Sequence, residues 1–182
     1  QAVSGTGLEA IEELTNQSHQ KLGGSPLTSS VYPHQIAFNC LPHIDSFSDN
    51  GYTKEEMKMV TETKKIMGDP GIQVNPTCVR VPVYHGHSEA IHIETKEKIT
   101  AKKAMEVLTQ APGIEVVQNN EDFEYPTAST HAENTDPVYV GRIREDISHP
   151  RGINLWVVSD NLRKGAALNS IQIAETLVQR YI

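Results

Sequence analysis

Residues 136–160, "DPVYVGRIREDISHPRGINLWVVSD", limit the possible folds more than any other stretch. Two Val- and Ile-rich runs flank "SHPRG", whose Pro and Gly mark a hairpin connection. Strands joined that closely pair antiparallel. Residues 72–86, "IQVNPTCVRVPVYHG", and 88–96, "SEAIHIETK", alternate with period two and read as further strands, and "IEVVQ" at 114–118 reads as a short one. Helical signals are interleaved with these. Thr53 and Glu56 form a capping box ahead of "KEEMKMVTETKKIM", with Lys64 and Lys65 in the last turn and Gly68 as C-cap. Near the start, Leu8, Ile11 and Leu14 share one helical stripe. "TAKKAMEVLTQAPG" predicts a helix from about Thr100 to the Pro112-Gly113 stop, and "RKGAALNSIQIAETLVQRYI" a C-terminal one. The expected class is α+β: a mixed, mainly antiparallel sheet covered by helices.

At 182 residues the chain is long enough for one sizeable domain without a disulfide or metal staple. It shows no repeat, no low-complexity segment and no clear domain boundary. The net charge of −7 argues against a nucleic-acid binder, which needs a dense Lys/Arg surface. No apolar run approaches the roughly 20 residues of a membrane span, and the first residues lack the pattern of a signal peptide. Cys40 and Cys78, both in apolar settings, read as buried free thiols in a reducing, cytoplasmic compartment. The missing initiator Met suggests a processed chain or an excised piece. The apolar face of the last helix is wide: Leu168, Ile173 and Ile182 spill beyond Ala166, Ala167, Ile171, Ala174 and Leu177 or Val178. Such breadth implies burial against more than one partner.

The chemistry-bearing residues gather in "CVRVPVYHGHSEAIH" and on the capped helix. Arg80 and His87 are seven apart, so on an uninterrupted strand they face opposite ways; Pro82 and Gly86 would permit the turn that brings them to one site. A surface ion pair for Arg80 and a turn role for His87 are the plain alternative. His85 and His87 share a face as H-x-H, but no local Cys/His/Asp cluster completes a metal site. Glu55 and Lys58, three apart on a helix, are either an exposed ion pair or a grip for a substrate carrying both charges. Arg80, whose planar fork matches a carboxylate, would then define a small amino-acid derivative with more than one anionic group. "SGTG", Ser4 to Gly7, looks like half a phosphate-cradling loop, and no G-x-G-x-x-G follows a strand.

"QAVSGTG", "YTKEEMKMVTETKKIM", "TCVRVPVYHGHSEA" and "SDNLRKGAALNSIQIAE", in that order, resemble the carboxy-terminal half of bacterial aspartate-semialdehyde dehydrogenase. The resemblance implies the glyceraldehyde-3-phosphate dehydrogenase-like C-terminal fold, with residues 1–182 as a catalytic, substrate-binding and dimerisation domain. It implies NADPH-dependent conversion of 4-phospho-L-aspartate to L-aspartate 4-semialdehyde through a cysteine thioester, in lysine, diaminopimelate, threonine and methionine biosynthesis. By motif match, His87 is the acid–base residue and Gln1 positions the substrate and its reacting carbonyl. Glu55 holds the substrate amino group, Arg80 its α-carboxylate, and Lys58 phosphate. Ser4, Gly5, Thr6, Gly7 and Asn161 match NADP contacts; no metal is implied. The nucleophilic cysteine of the S-N-C-[ST] motif and most of the Rossmann domain belong upstream, and neither Cys40 nor Cys78 matches that context. The chain by itself is therefore expected to be inactive, and its partners are the missing N-terminal domain, the small-molecule substrate and a second copy. The other reading is a non-catalytic dimerisation or ligand-binding module on the same fold.

Overall fold

The structure is a computed structural model and describes residues 1–182. The chain divides into two compact bodies, one formed by residue 1 with residues 6–82, the other by residues 2–5 with residues 83–182.

The first body contains two helices joined by long loops. Helix α1 spans Leu8–Gly23 and α2 spans Lys54–Met67. The expected stripe on α1 is rotated: Ala10, Glu13, Leu14 and Gln17 are buried, whereas Leu8 is 68% exposed. Two of these four inward residues are polar because they hold a loop. The Glu13 carboxylate accepts from the backbone nitrogens of Ser30, Val31 and Tyr32 (2.5, 2.6 and 3.2 Å). Gln17 accepts from Ile36 and Ala37 and donates to the Thr28 carbonyl. Loop backbone that would otherwise be stranded is thus satisfied by helix side chains. Helix α2 starts as expected, with both halves of the Thr53–Glu56 capping box formed, and ends at Gly68 in the left-handed conformation.

Residues 72–86 are not a strand. Pro76 and Pro82 remove donors, and pairing is irregular: a single bridge joins Leu41 and Arg80, and scattered backbone bonds run from the segment to Gln1, Val3 and Ser4. Cys78 is buried as expected; Cys40 is exposed, on the short stretch 38–40 between the buried Ala37 and Leu41.

The second body is a four-stranded sheet in the order β1–β4–β3–β2, with β1 His87–Glu94, β2 Ile114–Val116, β3 Val138–Glu145 and β4 Gly152–Ser159. β1, β4 and β3 are antiparallel neighbours, and β2 runs parallel to β3. The mixed, mainly antiparallel α+β class is confirmed. Alternation sorts the two faces. Val140, Ile143 and Ile153 pack with Ala104 of helix α3 (Ala101–Thr109), while Tyr139 and Val158 pack with Ala132. Val140 and Ile143 share a face despite odd spacing because β3 carries an extra residue between Gly141 and Arg144, where Arg142 has φ +52°. Gly141 is required here, since a Cβ would collide with the Val117 carbonyl and Pro126.

A π-helical turn, Ala128–Ala132, was not legible in the sequence. The C-terminal segment opens with a second such turn, Arg163–Ala167, before helix α4 at Leu168–Tyr181. No α4 side chain is buried, and Ile171, Ile173, Leu177 and Val178 are all at least half exposed.

Candidate active site

Four of the expected site residues meet in the first body. Residues 78–81 lie between Gln1 and Leu41. The Gln1 backbone nitrogen donates to the Val79 carbonyl (2.7 Å), the Val81 nitrogen to Gln1 (3.0 Å), and Arg80 exchanges two backbone bonds with Leu41 (2.8 and 2.9 Å). The Gln1 amide donates to Glu55 Oε1 at 2.8 Å, and Lys58 Nζ faces Glu55 Oε2 at 3.5 Å. As an exposed ion pair this Lys–Glu contact contributes little stability. Its consequence is orientation, because it leaves one carboxylate aligned between an amide and an ammonium group.

Arg80 is 6% exposed, with its guanidinium 5.9 Å from the centre of the Tyr32 ring. Burial lowers its pKa from the usual guanidinium value, outweighing the opposite influence of Tyr32, Glu55 and Cys78. A desolvated, forked cation beside an oriented carboxylate is suited to an amino-acid head group, whose carboxylate and ammonium need opposite partners.

Two residues that sequence reasoning did not assign to the site support it. Glu56, beyond its capping role, accepts from the Cys78 nitrogen at 2.9 Å and so ties the first turn of α2, with Glu55 and Lys58, to the segment carrying Arg80. Backbone donors from Thr53 and Cys78 hold its carboxyl below the ordinary value. Tyr32, placed by Glu13, lies against Arg80 and donates its hydroxyl to Thr6 Oγ1 at 3.0 Å. The capping box was visible as a pattern; its second partner was not.

The other expected residues divide between the bodies. Thr6 and Gly7 are exposed in the first, Gly7 at φ +114° ahead of α1 with no side-chain cap. Ser4, Gly5, His87 and Asn161 belong to the second. His87 opens β1 directly after Gly86, which has a φ of +89°. Ser4 and Asn161 are buried against each other, Asn161 Nδ2 donating to Ser4 Oγ at 3.0 Å. Asn161 Oδ1 accepts from the Gly86 nitrogen at 2.8 Å. Gly5, Thr6 and Gly7 are exposed, whereas the Asn161 amide oxygen is committed inside the protein. His85 lies 3.9 Å from Glu133, and no group of three or more His, Cys, Asp or Glu side chains is placed to hold a metal ion.

Residues 1–164 match the family described as semialdehyde dehydrogenase, dimerisation domain. The chain belongs to that family. Among curated relatives, the aspartate-semialdehyde dehydrogenase of Shewanella violacea is 65% identical over 181 residues, covering 100% of this chain and 53% of its own length. The crystal structure of aspartate semialdehyde dehydrogenase II from Vibrio cholerae, complexed with ASA, superposes with a TM-score of 0.95 at 55% identity, over 100% of this chain and 53% of that one. The enzyme from Candida albicans, solved with NADP, matches 79% of this chain and 45% of its own with a TM-score of 0.63 at 26% identity. This semialdehyde dehydrogenase dimerisation domain thus spans about half the length of the curated relatives it matches.

Proposed function

We propose that this domain is the substrate-gripping, dimer-forming half of an aspartate-semialdehyde dehydrogenase, which converts 4-phospho-L-aspartate to L-aspartate 4-semialdehyde with release of phosphate. The observation that carries the reading is the Glu55 carboxylate aligned between Gln1 and Lys58 beside the buried Arg80 guanidinium.

Arg80 binds the substrate α-carboxylate with its fork and Glu55 the α-ammonium group, while the Gln1 amide orients the reacting carbonyl. Lys58, exposed at its tip, meets phosphate as a point charge. His87 gives a proton to the oxygen of the thiohemiacetal as that adduct forms from the thioester and takes it back when the adduct collapses to aldehyde and thiolate, as an imidazole can near neutral pH. The thiol comes from polypeptide upstream, as does most of the surface that binds NADP. NADPH, when bound, supplies the hydride. The residues of this chain toward it are the backbone of Ser4–Gly7 and the surroundings of Asn161. The exposed apolar face of α4 docks on that upstream cofactor domain.

The test uses the full-length polypeptide that contains this chain. Supplied with aspartate semialdehyde, NADP and inorganic phosphate, it reduces NADP, and turnover depends on phosphate. Turnover without any phosphate dependence, or an upstream sequence lacking S-N-C-[ST], defeats the assignment.

A further inference from the structure

Asn161 ties together three segments remote in sequence, all within the second body. Its Oδ1 accepts from the Gly86 nitrogen (2.8 Å) and lies 3.2 Å from Ser4 Oγ; its Nδ2 donates to the same oxygen at 3.0 Å. Backbone pairing brings these segments side by side, with the Val3 nitrogen donating to Val83 and the Ser4 nitrogen to Tyr84. Gly86 has little freedom. At φ +89° it lies so close to Ala128 and Ala132 that a Cβ would come within 3.1 Å of the Ala128 methyl. The next residue is His87.

Asn161 is itself held. The buried Asp160 carboxylate accepts from the backbone nitrogens of Asn134, Leu162 and Arg163, each at 2.8 Å, and fixes the turn that presents Asn161. An amide at 9% exposure with both its polar atoms engaged inside the protein is built to set the positions of others.

We propose that Asn161 is a positioning residue for His87 that couples the His87 turn to the Ser4–Gly5 loop. Its amide holds the backbone nitrogen of Gly86, the residue immediately before His87, and by the same side chain it holds Ser4 of the loop assigned to the cofactor. The setting of the acid–base residue is therefore linked to the state of that loop. This rests on the dehydrogenase reading, and it differs from a simple cofactor contact, which would act through NADP affinity alone.

A double-mutant cycle in the full-length enzyme tests it. Asn161→Ala should lower kcat by about 30-fold and change the KM for aspartate semialdehyde by less than about threefold, because the carboxylate- and ammonium-binding residues are built elsewhere. In a His87→Asn background the same substitution should cost less than about threefold, since a residue that acts through another loses its effect once that one is gone. Asn161→Asp, which keeps the acceptor for Gly86, should recover most of kcat. If Asn161→Ala does not fold, Asn161→Ser, too short to span to Gly86, replaces it in the cycle.

Equal losses in both backgrounds, or a rise in the KM for NADP with kcat intact, would overturn the proposal. An unmutated enzyme that fails to oxidise aspartate semialdehyde overturns the dehydrogenase reading itself, and the two failures are thereby distinguished.

Discussion

The two bodies are held together by different means. In the first, loops longer than either helix are stitched by side chains: Glu13 and Gln17 of α1 satisfy backbone between Thr28 and Ala37, and Glu56 of α2 reaches Cys78. Regular strand pairing there is limited to the isolated bridges at Leu41–Arg80 and Phe47–Thr53. In the second, a ladder broken only by the extra residue in β3 joins β1, β4 and β3, with apolar side chains sorted to either face. A few polar hubs can place charged side chains with precision on irregular backbone, at the cost of depending on each hub. A ladder spreads the load over many bonds and holds one residue, His87, at its edge.

If binding charges belong to the first body and proton transfer to the second, substitutions should separate KM from kcat. His87→Asn in the full-length enzyme should lower kcat by about 10²–10⁴-fold with a modest change in KM. Arg80→Lys should raise the KM for aspartate semialdehyde by about 10- to 100-fold, because an ammonium cannot reproduce the planar fork. Steady-state kinetics on both variants measures this; a matching loss in both parameters for both would erase the distinction.

Stability should divide the same way. Glu13→Ala leaves three backbone donors without their carboxylate and is expected to cost about 1–3 kcal/mol in urea unfolding. Thr53→Ala removes one half of the capping box, for about 1 kcal/mol. No change from Glu13→Ala would show that the loop holds itself.

Acid should also find the hubs. Burial pushes Glu13 and Asp160 upward, but several backbone donors outweigh it, and Glu56 is lowered chiefly by its backbone donors. All three carboxyls lie below their ordinary values. Their contribution to stability is complete above the unfolded carboxylate range, about pH 4–5, and disappears as pH falls through the lowered folded values. Two of the three belong to the first body, so hydrogen exchange on lowering pH should report loss of protection in residues 28–37 and 78–81 before the β3–β4 ladder.

Much of this was legible in the sequence. The Thr53–Glu56 box, the hairpin between β3 and β4 and the helix start at Thr100 are local patterns, and local backbone chemistry is sufficient to produce them. The strand expected over 72–86 failed because alternation cannot reveal whether a neighbouring strand exists to pair with, and Pro76 and Pro82 interrupt the row of donors such pairing would need. The α1 stripe failed because burial followed hydrogen-bonding need rather than hydropathy, turning Glu13 and Gln17 inward and Leu8 out.

The site shows the same boundary. Glu55 and Lys58 share a helix face, and that follows from their spacing alone. That Glu56 would bind the Cys78 nitrogen 22 residues away, or Asn161 the Gly86 nitrogen 75 residues away, was decided by the tertiary structure. Periodicity and capping record interactions within a turn or two of backbone. A hydrogen bond between distant segments is set by packing, and it leaves no repeating trace in the order of the residues.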